Sequence, residues 1–368
     1  MKPLFTVPHK ESKMRVLNDL HIGVQRVAGT TPASAAALRQ YALDKYQSLL
    51  ETAGKHDMVV VNGDLTDRYD IEMSDMLQLY AITAEFLRKN KDAEMVWAAG
   101  NHDLSRNSNN MGSVEFIGNL LQGMFPEQFA VACVPSLLWD GIYVIPHMTN
   151  QEEFDEALAQ VPKGTHTLLL HCNYDNPFAG AQDHSLNLAE DVAMGLKRRG
   201  IKMILGHEHQ GREMLGGSVV ITGNQFPTSV SDCLAHGEAQ KDGKKYCIPL
   251  TQDGKHERHE TWSRSHHYKE VDWKEVQDAD LTSYAFIRVV GTAERDESSE
   301  ALKTVTNLRK ESMAFVVTNA VKVASIDEMD VDVSVEDIRK VNVVDMLLGM
   351  LTTEQASAIQ KLLDKHPL

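Results

Sequence analysis

The chain has 368 residues, 42% of them hydrophobic, enough for one large domain with a smaller companion. Its 37 Lys and Arg against 52 Asp and Glu leave a net charge of −15. That argues against coating nucleic acid or anionic membrane by bulk charge, since such binding rests on cations that neutralise phosphates. The four cysteines (Cys133, Cys172, Cys233, Cys247) form no Cys-x-x-Cys pair and read as reduced thiols of a cytoplasmic protein, and no run approaches the ~20 apolar residues of a membrane span.

Residues 1–13, "MKPLFTVPHKESK", lack a long apolar segment and are expected to be a short tail. From Met14 short β-branched runs alternate with helical stretches. "MRVLN" reads as a strand, and "SAAALRQYALDKYQSLLETAG" as a helix stopped near Gly54. The strand "DMVVVNG" precedes the helix "EMSDMLQLYAITAEFLRKN", and the strand "AEMVWAAG" precedes the helix "GSVEFIGNLLQGMF". "FAVACV" and "GIYVIPHM" are strands, "QEEFDEALAQV" a helix, "HTLLLHC" a strand, "LNLAEDVAMGLKRRG" a helix and "IKMILGH" a strand. "GSVVITGNQ" and "KKYCIPLTQDG" then follow as short strands with Gly turns and no helix between them. The pattern predicts an α/β layered domain over 14–265 with an appended antiparallel portion.

Residues 252–280 are polar and read as a connector into a smaller α+β unit, 266–368. In that unit "YAFIRVVGT" and "MAFVVTNA" are strands, and "ESSEALKTVTNLRK" is a helix with Ala301, Leu302, Val305 and Leu308 on one side. "MDVDVSV" alternates with Met329, Val331, Val333 and Val335 on one face, and the tail is helical, restarted by a Thr352/Gln355 capping box.

Five strands of the first domain end in side chains that ionise or bind metal. "MRVLN" leads to Asp19 and His21, and "DMVVVNG" to Asp64, Asp67 and Arg68. "AEMVWAAG" leads to Asn101, His102 and Asp103, "HTLLL" to His171, and "IKMILG" to His207 and His209. The carboxyl ends of parallel strands converge on one crevice. Two carboxylates (Asp19, Asp64), one amide (Asn101) and four imidazoles (His21, His171, His207, His209) are too many for one ion and suit two ions ~4 Å apart. Mixed oxygen and nitrogen donors favour Mn²⁺, Fe²⁺ or Zn²⁺ over Mg²⁺ or Ca²⁺. Each block alone has a plain reading as a turn; their joint occurrence in order does not. His147, which also ends a strand, is the one further histidine worth watching.

On these residues the chain resembles the calcineurin-like metallophosphoesterases. The family's blocks stand here as Asp19-Leu20-His21, Gly63-Asp64-Leu65-Thr66-Asp67, Gly100-Asn101-His102-Asp103, His171, and Gly206-His207-Glu208-His209. The resemblance implies an αββα sandwich with a smaller C-terminal α+β cap. It implies one ion held by Asp19, His21, Asp64 and His209, and another held by Asp64, Asn101, His171 and His207, with Asp64 bridging. It also implies that His102 sits over the scissile phosphate, oriented by Asp67. "NDLHIG", "GDLTDRY", "GNHD" and "GHEHQGREM" are most similar to the SbcD-type DNA-repair nucleases, although their usual Pro-Gly-Ser loop reads "GNQFPTS" here. That likeness implies a Mn²⁺-dependent phosphodiesterase acting on DNA, with a coiled-coil SbcC-type ATPase and a second copy of the chain as expected partners. The tail helix could dock such an ATPase, with ordinary core packing the plainer reading. "LKRRG" and "KDGKK" could touch phosphate, with solvated faces the plainer reading. The alternatives are a phosphatase or cyclic-nucleotide phosphodiesterase, which the acidic charge favours, and a non-catalytic scaffold, which the complete ligand set argues against.

Overall fold

Each short apolar run buries alternate residues on opposite faces, and this builds two sheets. The computed structural model describes residues 3–5, 12–24, 28–54, 57–105, 110–176, 185–234 and 242–324. In chain order come β1 (Met14–Leu17), α1 (Pro32–Glu51), β2 (Met58–Asn62), α2 (Met73–Lys89), β3 (Glu94–Ala98), α3 (Ser113–Met124), β4 (Phe129–Ala132), β5 (Ser136–Trp139) and β6 (Ile142–Ile145). Next are α4 (Gln151–Ala159), β7 (Thr167–His171), β8 (Asn173–Tyr174), β9 (Asn187–Leu188), α5 (Glu190–Arg198), β10 (Lys202–Gly206), β11 (Arg212–Met214), β12 (Val219–Ile221) and α6 (Val230–Cys233). Then follow β13 (Lys244–Leu250), β14 (His259–Ser263), α7 (Arg264–His267), β15 (Tyr268–Asp272), β16 (Phe286–Val290), β17 (Thr292–Ala293), α8 (Ser298–Glu311) and β18 (Val316–Asn319).

One sheet runs β14-β13-β1-β2-β3-β4, with β1 to β4 parallel and β13 antiparallel to β1. The other runs β11-β12-β10-β7-β6-β5, with β6, β7, β10 and β12 parallel. Val60 of β2 packs with Val16, Val96, Leu169 and Ile204 in a layer shared by both sheets. Its neighbours Val59 and Val61 pack instead with Leu43 of α1, Leu79 of α2 and Ile117 of α3. On the second sheet Leu168, Leu170, Met203 and Leu205 pack with Phe154 of α4 and Leu196 of α5. The result is helix, sheet, sheet, helix: the expected αββα order. Each fully buried Leu or Val contributes roughly 1.5–3 kcal/mol, so this burial outweighs helix propensity. α1 starts at a Thr31/Ser34 capping box with Pro32 just inside, and its C-cap, Thr52, lies close to the expected stop.

Four expectations are corrected, the first being that the short helix α6 stands between "GSVVITGNQ" and "KKYCIPLTQDG", where none was expected. The polar stretch 252–280 is not a plain connector: it holds β14 and β15, and β15 buries Tyr268 and Val271 among charged residues. β5, which no pattern announced, forms a hairpin with β6. On α8, Ala301 and Val305 are buried but Leu302 is 58% exposed, because it lies a third of a turn off the buried stripe. The alternating run at 329–335 and the tail helix with its Thr352/Gln355 box lie outside the described residues.

β15, β16 and β18 form a third, parallel sheet against which Ala301 and Val305 of α8 pack. The boundary expected at residue 265 falls in α7, between β14 of the first sheet and β15 of the third. The described residues up to Lys322 form one compact unit. Among the described residues no helix is long and apolar enough to cross a membrane.

Glu94 opens β3 and is 9% exposed, with the Trp139 indole N–H donating to Oε2 at 3.0 Å. Burial pushes its carboxyl up to about 7, and the Trp139 bond only partly opposes this. A carboxyl whose folded pKa is raised contributes stability that is fully present below its unfolded pKa and is lost as pH rises through 7. Glu94→Gln is therefore expected to stabilise the protein at pH 8 by about 1 kcal/mol, after discounting for solvent that still screens the group. Urea unfolding at pH 5 and pH 8 checks this. An unchanged difference between the two pH values in the variant would refute it.

Candidate metal centre

The carboxyl ends of β1, β2, β3, β7 and β10 open on one rim, and glycines let the backbone turn there. A Cβ on Gly63, at φ +90°, would lie 2.0 Å from His171 Nδ1, and one on Gly100 would lie 2.2 Å from the Asp64 main-chain nitrogen. Asp19, His21, Asp64 and His207 themselves take left-handed conformations, with φ of 52°, 47°, 49° and 87°. Such backbone costs of order 1–3 kcal/mol per residue and collects at functional sites. Gly63→Ala should therefore displace His171, lowering stability by about 2–3 kcal/mol and weakening metal binding. Thermal melts and Mn²⁺ titration measure both, and a variant unchanged in each would disprove the tight fit.

The structure brings every expected ligand to this rim. Donor atoms of Asp19, His21 and His209 lie within 4.8 Å of one another, as do those of Asp64, His171 and His207 and those of His21, Asp67 and His102. His21 Nε2 is 2.9 Å from His209 Nε2. Asn101 Oδ1 lies 3.1 Å from His171 Nε2 and 3.0 Å from His207 Nδ1, which attaches it to the second cluster. His147 belongs to none of the clusters found among the described residues; its main-chain N–H donates to the Ala99 carbonyl.

The chemistry of the donors fits cations. His171 faces acceptors on both sides: Nδ1 meets the Asn62 carbonyl at 3.0 Å, while Nε2 meets Asp64 Oδ2 at 3.2 Å and Asn101 Oδ1. A neutral imidazole has one N–H, so the other side must meet a positive charge, a proton or a metal ion. Without an ion, burial would lower the His171 pKa, but Asp64 and Asp19 outweigh it and carry it up to about 9. Burial also opposes charge on His209, and the Asp232 carboxylate outweighs it, again to about 9. His21, buried beside His209, is driven down to about 3, and burial lifts Asp19 to about 6.

His102 sits beside the clusters. Its main-chain N–H donates to Asp64 Oδ1 at 2.9 Å, and its Nδ1 meets the Asp67 carbonyl at 2.5 Å. The contact from Asp67 is thus made by its main chain, while its carboxylate lies 3.6 Å from His21 Nδ1. Burial works against a charged His102, yet Asp64 and the Asp67 carbonyl raise its pKa overall. An open cleft of about 370 Å³ is lined by His21, Asp64, His102, His207, His209 and Thr228.

Two carboxylates support the clusters: Asp103, named at its strand end but given no role, and Asp232, which went unread. Asp103, inside the third block, accepts from the Gly100 and Thr66 N–H groups and the Thr66 hydroxyl, tying the β2 and β3 loops together. Asp232 accepts from His209 Nδ1 at 2.8 Å. Its place is set by a capping box with Ser229 at the start of α6, so the text Ser-Val-Ser-Asp carried the signal.

Residues 13–211, just over half of the chain, match the family described as calcineurin-like phosphoesterase. The chain belongs to the calcineurin-like phosphoesterases. Membership implies a hydrolase with a dinuclear metal site, and the His and Asp clusters of this phosphoesterase are of the kind such a site needs. Among solved structures this phosphoesterase is similar to a purple acid phosphatase from yellow lupin (Lupinus luteus) seeds, at 13% identity and a TM-score of 0.37, covering 68% of this chain and 51% of that one. It is also similar to a cold-active protein-tyrosine phosphatase of a psychrophile, Shewanella sp., at 13% identity and a TM-score of 0.32, covering 70% and 82%. The chain spans about half the length of the lupin protein. No curated protein matches it.

Proposed function

We propose that this phosphoesterase is a Mn²⁺-dependent phosphodiesterase that cuts DNA, in the manner of the SbcD-type nucleases. The observation that carries the hydrolytic part is the meeting of two oxygen-and-nitrogen clusters beside His102 on one open cleft. The DNA part is supported by the wording of the blocks, "NDLHIG", "GDLTDRY" and "GHEHQGREM". An SbcC-type ATPase and a second copy of the chain are the partners this reading carries with it.

Asp19, His21 and His209 would hold one ion and Asp64, Asn101, His171 and His207 the other, with Asp64 as the bridge. When bound, such a pair of ions lowers the pKa of an attacking water and neutralises charge on the phosphoryl group. Asp232 holds the Nδ1 of His209, and the Asn62 carbonyl holds that of His171, so each ring turns its Nε2 to the cleft side. His102, with Nδ1 on the Asp67 carbonyl, is left to donate from Nε2 to the leaving oxygen when it carries both protons, a form that burial opposes and that Asp64 and the Asp67 carbonyl favour.

The net charge of −15 favours a second reading, a phosphatase or small-molecule phosphodiesterase. Linear DNA, bis-nitrophenyl phosphate and nitrophenyl phosphate, each with Mn²⁺, separate the two. Degradation of DNA supports the nuclease, and cleavage of the monoester alone overturns it.

A further inference from the structure

Among the described residues Lys245 is the one Lys or Arg that is buried, at 2% exposure. It lies on β13, next to the strand that delivers Asp19 and His21. An ammonium group is costly to bury unless it is partnered. Here Nζ donates to Asn224 Oδ1 and, at 3.4 Å, to the main-chain carbonyl of His209. The Asn224 main-chain N–H donates to the same carbonyl at 3.3 Å. Asp232, whose Oδ2 accepts from the Thr228 and Ser229 N–H groups, offers Oδ1 to the His209 ring.

His209 comes from the second sheet, on the loop after β10. Its carbonyl is pinned by a lysine rooted in the first sheet, and its Nδ1 is pinned by Asp232. Two anchors leave Nε2 turned toward His21. Among the described residues the other cluster has no buried lysine or arginine behind it: His171 is held by the Asn62 carbonyl.

We propose that Lys245 is a positioning residue for the cluster of Asp19, His21 and His209, acting through the His209 carbonyl, beside the Asp232 anchor on Nδ1, to aim the His209 ring at a divalent cation. This rests on the two-metal reading above. The test is calorimetric Mn²⁺ titration and the Co²⁺ absorption spectrum of the full chain, wild type against Lys245→Met and Lys245→Gln. In both variants one class of site should weaken about ten- to a hundred-fold while the other stays within about two-fold, and one Co²⁺ component should change. Asp232→Asn should weaken the same class, and the double variant Lys245→Met/Asp232→Asn should lose less than the sum of the two losses. Equal weakening of both classes, no weakening, or loss of far-ultraviolet circular dichroism in both lysine variants would overturn the proposal and leave Lys245 as a packing residue. A wild type that binds fewer than two ions would instead bring down the two-metal reading itself, and this proposal with it.

Discussion

Asp64→Ala is expected to abolish metal-dependent phosphoester hydrolysis, with turnover falling at least about a thousand-fold. Asp64 is almost fully buried; one oxygen accepts the His102 main-chain N–H, and the other faces His171 at 3.2 Å. Removing it takes away an anionic donor and the partner that keeps His171 and His102 in place. Burial alone would raise its pKa, but the charge and hydrogen bond of His171 carry it well below the usual range, which favours the ionised form that binds a cation. Elemental analysis after Mn²⁺ loading should show both ions reduced. A variant that keeps two tightly bound ions and normal turnover would rule out a bridging role.

His102→Ala should give a different phenotype: kcat down about a hundred- to ten-thousand-fold with metal content intact. The contact from residue 102 to Asp64 is made by the main chain and survives the substitution. What is lost is the ring, with its Nδ1 on the Asp67 carbonyl. Steady-state kinetics beside metal analysis separates the two effects. The loss should shrink on a substrate whose leaving group is already a weak base, such as a nitrophenolate, because that oxygen needs no proton. Equal loss on good and poor leaving groups would argue against proton donation.

The blocks around Asp19, Asp64, Asn101, His171 and His207 were legible because each pairs a short apolar run with a turn and a polar residue, and each of those features is local. The sandwich followed from the same alternation. β14 and β15 were hidden because polar residues dominate them: in "YKEVD" only Tyr268 and Val271 are buried, on opposite faces and in different clusters, too few to stand out from polar text. Asp232 and Lys245 were hidden for another reason. Each acts on His209 from more than twenty residues away, and pairing at that range depends on how the sheets stack. Leu302 shows the limit of reading a helix by eye, since a residue adjacent to the buried Ala301 turns outward.

Each proposed ion draws on both sheets. Asp19 and His21 come from the first and His209 from the second; Asp64 comes from the first and His171 and His207 from the second. A loaded centre is thus a pair of rivets through the open edge of the sandwich, where the shared apolar layer ends. Chelation should then loosen mechanics as well as chemistry, with amide exchange quickening at that edge first and the far ends of the same strands holding fast.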